Sequence, residues 1–504
     1  MASSRPVFRF YVDWLNDGDF IDTNDEVTSI PGGNAMAADG LTIAYGRDQA
    51  RAFSPVRAGE AAFRLNNAAR IYSPENASSP LFGQLVPGRP VQITATQDAA
   101  TTIIYRGFLD DYTVSPNKGD RTVTMSCLDL MARFAQANPL STPLYAGIRT
   151  GTAIGLILDA LGWPGGARDL DPGASTIRWW WEEGTDGLTA LARMLAAEGP
   201  PAICFVDTNA NFVFRDRHHR LLDAASTAVQ ATFTNGGSTE TASTVTFSQP
   251  MTYDTGWRDI VNTIIVPVDQ RNQAALGVVW QTDATIAVPA GSTTTVIAQA
   301  SDPFINAVTP VAGTDYTLLT GAATANLSRT SGQSVTITFT DSGAGSLVTA
   351  LRLRANPVTV ARTVQVSVSS PTSVTAYGVR GLPSGIDLGA GGATVEDVVA
   401  VATIFVTRYA QRQPIVTIPV ANLNDKRLTQ QLARDLSDRV HITDSETGLN
   451  ADFFIEQISH ATSGTGRVLT TTFGCEKADA TSPSNLFVFD DATNGKFNTG
   501  KFGT

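Results

Sequence analysis

The stretch Phe63–Thr94, FRLNNAARIYSPENASSPLFGQLVPGRPVQIT, decides how the first part of the chain is read. It starts as a strand, breaks into a loop of Asn, Ser and Pro, and turns at Pro87-Gly88. It then resumes as a strand in which Val91 and Ile93 alternate with Gln92 and Thr94. Proline presets the φ of a turn and glycine accepts the positive φ that follows. Alternation of period two marks a half-buried strand. No side chain here is placed for chemistry, so the stretch is scaffold. Around it, similar alternation predicts strands at Val7–Val12, Leu41–Ala44, Ala61–Leu65, Thr102–Tyr105, Phe108–Val114 and Thr122–Cys127. In the first, Phe8, Phe10 and Val12 share one side. Such spacing, with turns between, predicts a barrel or sandwich, closed by a short helix over Leu128–Gln136.

The 504 residues are enough for several domains. With 42 % apolar and only 16 % charged residues, the composition excludes a disordered chain. A net charge of −11 argues against a duplex-DNA binder, which needs a basic footprint to displace counterions. Three cysteines, Cys127, Cys204 and Cys475, cannot form a paired framework and read as small buried hydrophobes. Folding in a reducing cytoplasm is expected. The N-terminus reads as no signal peptide, and no run is long and apolar enough for a transmembrane helix.

From Leu140 to Leu222 helices alternate with short strands. Thr152 is the expected cap of a helix with an Ile154, Ile157, Leu158, Leu161 stripe. A second helix starts near Thr185-Asp186, presents Leu188, Leu191, Ala192 and Leu195, and stops at Gly199-Pro200. A hairpin joins Ile203–Val206 to Phe212–Phe214. Ala224 to Pro371 is almost wholly strand-like, and its middle, 280–357, reads as an inserted β-sandwich. A helix follows, capped by Thr394 with Asp397 completing a capping box and stopped by Pro414. Leu428, Leu432 and Leu436 predict one more helix. The chain is thus expected to be mainly β with smaller α+β parts. Its expected domains are 1–139 (barrel-like), 140–222 (α+β), 223–279 with 358–415 (a second barrel-like domain), 280–357 (sandwich), 416–477 (α+β or barrel), and a flexible or partner-docking tail, 478–504.

Five places invite a chemical reading. In the acidic loop 13–26, Asp13, Asp17, Gly18 and Asp19 partly match a calcium loop. Leu15 stands where a ligand is needed and Asn24 where a bidentate Glu should be, so the loop reads as a solvated turn, with calcium as the alternative. Glu182 and Glu183 follow Trp179-Trp180-Trp181, but neighbours on a strand face opposite ways and cannot straddle one glycosidic bond. His218 and His219 with Asp216 lack the spacing of a zinc site. His460 lies on a strand with no nucleophile and reads as structural. Thr and Ser fill the sandwich faces as ordinary β residues, with a glycan site as the alternative. No catalytic, cofactor-binding or metal set is assigned, and no cofactor is expected.

The order of several motifs resembles the tail-tip and baseplate hub proteins of tailed bacteriophages. These are Leu65-Asn66-Asn67, Arg70-Ile71-Tyr72-Ser73-Pro74, Ser79-Pro80-Leu81 and Gly83 through Val91; then Trp181-Glu182-Glu183, Ala197-Glu198-Gly199, Phe205-Val206-Asp207 and Phe212 through Arg217. Ser373 through Arg380, Asp438-Arg439-Val440 and the run from Phe453 to His460 continue it. The resemblance spans Val7 to Glu476 and is weakest in the sandwich; Thr28-Ser29-Ile30-Pro31 departs from the pattern by one position. It implies a structural virion protein: a homotrimeric ring, two barrel-like domains per chain, closing the tail tube at the virion tail tip after assembly in the host cytoplasm. Implied partners are distal tail and tail tube proteins, the tape-measure protein, and tail fibre or receptor-binding proteins, with DNA only as cargo. The competing readings are a tail-associated cell-wall hydrolase and a glycan-binding receptor protein.

Overall fold

The computed structural model describes residues 5–31, 40–117, 119–136, 139–236, 239–248, 250–329, 331–383, 386, 388, 393–463 and 468–478. The sequence Gly464-Thr465-Gly466, which reads as a turn, and the tail from 479 lie outside them. Six strands come first: β1 (Val7–Val12), β2 (Thr42–Arg47), β3 (Val56–Asn66), β4 (Pro90–Gln97), β5 (Ala100–Asn117) and β6 (Asp120–Leu128). Then follow α1 (Ala132–Gln136), β7 (Tyr145–Arg149), α2 (Thr150–Ala160), β8 (Arg168–Leu170), β9 (Thr176–Trp180) and α3 (Gly187–Glu198). The hairpin β10 (Ile203–Val206) and β11 (Phe212–Arg215) leads to α4 (His219–Leu222) and α5 (Ala224–Thr227). Next are β12 (Ala231–Thr234), β13 (Thr244–Thr246), β14 (Thr252–Asp254), β15 (Thr263–Gln273) and β16 (Gly277–Thr282). The sandwich holds β17 (Ile286–Val288), β18 (Thr293–Gln299), β19 (Phe304–Val308), β20 (Thr317–Thr320), β21 (Thr324–Arg329), β22 (Ser334–Thr340) and β23 (Ser346–Thr349), and β24 (Leu351–Ser369) leaves it. The chain ends in α6 (Pro371–Tyr377), α7 (Val395–Tyr409), β25 (Ile415–Ala421), α8 (Asp425–Ala433), β26 (Arg439–Asp444), β27 (Leu449–Ser463) and β28 (Val468–Lys477).

The first lobe is ordered β1-β4-β5-β6-β3-β2. β1 buries Phe8, Phe10 and Val12, the face its alternation predicts. β5 is long enough to pair with β4 through its first half and β6 through its second, with register shifts at Ile93/Thr94 and Leu109/Asp111. Such bulges bend a strand and increase its twist, which lets a sheet curl over its own core. The loop between β3 and β4 folds back as a series of turns. Tyr72 and Leu81 are buried in the lobe's core, Asn67 accepts from the Tyr72 amide at 3.0 Å, and Gly88 takes φ +84°.

The second lobe joins the first through one backbone ladder, in which β2 pairs antiparallel with β27, from Thr42↔Ala461 to Gly46↔Gln457. β27 also pairs with β26 at its start and with β28 along its length, and β12 and β13 extend the sheet beyond β26. Thirteen strands therefore form one branched sheet over two cores, and Tyr45 of β2 packs against both.

This pairing corrects the grouping expected for 223–279 with 358–415. β12, β13 and β14 belong with β25–β28, so 416–477 is not a separate barrel. β15 and the end of β24 instead form an antiparallel ribbon, Thr263↔Ser369 to Gln273↔Val358. Its inner face, Ile264, Val266, Val268 and Val366, packs on α7. The segments on either side of Trp257 alternate alike, and only their partner strands distinguish them. Within the sandwich, β17-β23-β20 and β18-β22-β21 form two three-stranded sheets about one core.

Two helix details also differ from expectation. α2 starts at Thr150 with Arg149 as N-cap, so Thr152 lies inside the first turn rather than capping it; the Thr150 hydroxyl donates to the buried Glu198 at 2.5 Å. α8 ends at Ala433, leaving Leu436 outside the helix and in the second lobe's core. Asp186 caps α3, and the Thr394–Asp397 capping box is complete.

Candidate functional site

The lobes, the α+β unit and the ribbon meet at two clusters of buried charge. In the first, Glu456 of β27 is fully buried between two guanidiniums. Arg47 at the end of β2 donates through Nε to Oε2 at 2.8 Å, and Arg220 of α4 donates through Nη1 to Oε1 at 2.7 Å. Arg47 also donates to the Ser54, Pro201 and Ala202 carbonyls at 2.8, 3.0 and 2.8 Å. Arg220 lies 4.5 Å from the Phe454 ring centroid and donates to the Ser437 hydroxyl. Burial pushes the Glu456 carboxyl up, but Arg220 and Arg47 outweigh it and hold the group below its ordinary value. The approach is close: a Cβ at Gly46, whose φ is +105°, would stand 2.6 Å from the Glu456 carbonyl oxygen.

In the second cluster Glu476 of β28 is fully buried beside Arg51, whose guanidinium donates instead to Asp259 at 2.5 Å and to the Gln413 carbonyl. Arg51 and Arg408 approach the Glu476 carboxylate only to 3.5 and 3.8 Å. The Ala52 amide donates to it at 2.6 Å. Here burial prevails, and the carboxyl is raised despite Arg408 and Arg51, with Glu456 adding to the rise.

A third junction uses the tryptophan run. Trp180 points into the α+β core, 5.6 Å from the Tyr145 ring. Trp179, on the opposite face, packs with Leu144 and Val358. Trp181 lies under Arg271 of β15, 5.1 Å from its ring centroid, and against Gly332 at the base of the sandwich, where a Cβ would be 2.7 Å from the indole. These rings are a joint between two units. Glu182 is buried and paired with Arg193 at 2.6 Å, whereas Glu183 is exposed, so the two carboxylates serve no common site.

The other candidates are also dispersed. His219 pairs with Asp171 at 3.0 Å, while Asp216 accepts from the His218 amide at 2.9 Å. His460 is buried, its Nδ1 2.8 Å from the Thr471 hydroxyl, and burial pushes it down to about 4. In the acidic loop Asp13 is buried and accepts from the Asn16, Asp17 and Gly18 amides. The carboxylates that come within 4.8 Å of one another are Asp17, Asp19 and Asp22, a set that replaces Asp13 with Asp22. All three cysteines are buried and free. Sequence reading missed Glu456, Glu476 and their arginines. The one signal was the glutamates' place on strands otherwise packed with apolar side chains, since a buried carboxylate requires a partner.

No protein-family model and no curated protein matches the chain. Solved structures do. The tail protein from Neisseria meningitidis MC58 aligns over 94 % of this chain and 98 % of its own, at 12 % identity and a TM-score of 0.50. The prophage MuSo2 43 kDa tail protein from Shewanella oneidensis aligns over 92 % and 97 %, at 10 % identity and 0.46. Prophage tail protein gp18 from Listeria monocytogenes EGD-e aligns over 94 % and 96 %, at 8 % identity and 0.40. The likeness to the neisserial protein is one of fold, and it runs the length of both chains.

Proposed function

We propose that this chain, which has the fold of a phage tail protein, is the hub at the tip of a bacteriophage tail. Three copies form a ring that closes the tail tube, anchors tail-tip and fibre proteins, and opens for tape-measure protein and DNA. The observation that carries the reading is the pair of lobes built on one branched sheet. Two lobes per chain, three chains to a ring, would present six units to a sixfold tube. The Arg47–Glu456–Arg220 lock suits a part that bears load. The proposed role is mechanical: Glu182 and Glu456 are held in ion pairs and Glu476 accepts from a backbone amide, so these carboxylates hold units together rather than stand poised at a cleft. With a net charge of −11, an acidic lumen would limit sticking to DNA.

The test is the solution mass of the purified chain, followed by imaging of the particle. Three times the 53.3 kDa chain mass, with a threefold ring around an acidic channel, is the expected result. A sixfold ring would assign the chain to a different layer of the tail. A monomer that clears host cell wall in a zymogram would replace the hub with a hydrolase, and a basic channel would overturn the lumen argument.

A further inference from the structure

Helix α3 carries two apolar stripes. Leu191 and Met194 are buried in the α+β core, and Leu188 and Leu195 pack partly against it. Leu188, Ala192 and Leu195 face a cavity of about 570 Å³ whose other walls include Ala52 and Phe53 from the loop after β2 and Phe405 from α7. The volume is that of a typical ligand pocket, ~300–1,000 Å³, and Ala192 stands exposed in it. Among the described residues nothing fills it, and a largely apolar cavity of this size calls for an occupant.

The chain itself passes close by. Glu476, near the end of β28, accepts from the amide of Ala52, which lines the cavity. After Ala478 the sequence continues through 479–504 and includes the apolar run Leu486-Phe487-Val488-Phe489. From Ala478 to Leu486 an extended chain reaches roughly 26–29 Å, ample for a cavity whose wall touches Glu476. We propose that Leu486–Phe489 of the chain's own C-terminal segment docks in this cavity and covers Leu188, Ala192 and Leu195. The inference goes beyond the hub reading and is independent of it, because one copy of the chain carries both halves of the contact.

The test uses the full chain with Ala192→Cys, Phe487→Cys and Cys204→Ala, because Cys204 also lines the cavity; Cys127 and Cys475 are buried elsewhere. Mild copper–phenanthroline oxidation should give a disulfide within one chain, in excess over a control pairing Phe487→Cys with Thr295→Cys on the exposed sandwich face. In a second arm, Ala192→Cys alone should be alkylated at least about tenfold faster when Phe487→Ser and Phe489→Ser are added. A disulfide between two chains would assign the cavity to a neighbouring copy's segment and overturn the proposal. Cross-linking no greater than the control, or an unchanged alkylation rate, would do the same.

Discussion

Glu456 and Glu476 are both fully buried, both on the strands that build the second lobe, and both surrounded by arginine, yet they are held in opposite ways. Glu456 receives a direct hydrogen bond from each of two guanidiniums. The arginine nearest Glu476 is committed to Asp259 and a backbone carbonyl. Proximity of charge alone does not repay the loss of hydration; aligned donors do. A count of buried ion pairs would score the two sites alike, whereas their geometry separates a lock from a site that favours the neutral acid.

Four measurements break or sharpen this contrast. Glu456→Ala leaves two buried guanidiniums uncompensated and should cost ~3–5 kcal/mol in denaturant unfolding; a loss below 1 kcal/mol would remove the distinction. Gly46→Ala forces a Cβ against the Glu456 carbonyl oxygen and should cost ~1–3 kcal/mol, with no effect if the backbone can retreat. Glu476→Gln keeps an acceptor for the Ala52 amide and removes a charge the site disfavours. It should therefore be neutral or stabilising at pH 7, and a large loss would show that Arg51 and Arg408 depend on that charge.

The smallest effect is in the pH profiles. Glu456 has a folded pKa below its unfolded value, so its contribution is complete above the unfolded value and fades as pH falls through the folded one. Glu476 has the reverse shift, so the folded state holds a proton the unfolded chain has released, and stability falls as pH rises through that window. Glu476→Gln should remove this fall and leave the acid-side loss in place. His460, pushed down to about 4, adds a loss on the acid side as pH drops below its unfolded value near 6.5.

Local chemistry was legible in the sequence where a short-range rule decides the outcome. The face of β1, the turn at Gly88, the helix start near Thr185-Asp186 and the Thr394–Asp397 box each depend on residues within one turn or one strand. The tail-protein fold was legible too, from the order of loose motifs rather than any single one. What escaped was long-range. Arg47 and Glu456 are separated by 409 positions, and only the β2–β27 ladder brings their strands side by side. The tryptophan run drew attention as a possible sugar site, but its outward rings are spent on Val358 and Gly332, which no local pattern connects to it. Thr152 is not a cap because the helix starts two residues earlier, where Thr150 is tied to Glu198 of another helix.

β24 is a single strand of 19 residues that begins in the sandwich and ends in the α7-backed ribbon. A continuous strand has no hinge between those two places. Lateral force on the sandwich would travel along the strand as tension to α7 and from there toward the Arg51–Glu476 cluster through Tyr409, whose hydroxyl lies 3.4 Å from Glu476. An appendage that could have hung from two loose loops is instead wired into the frame as a tie-rod.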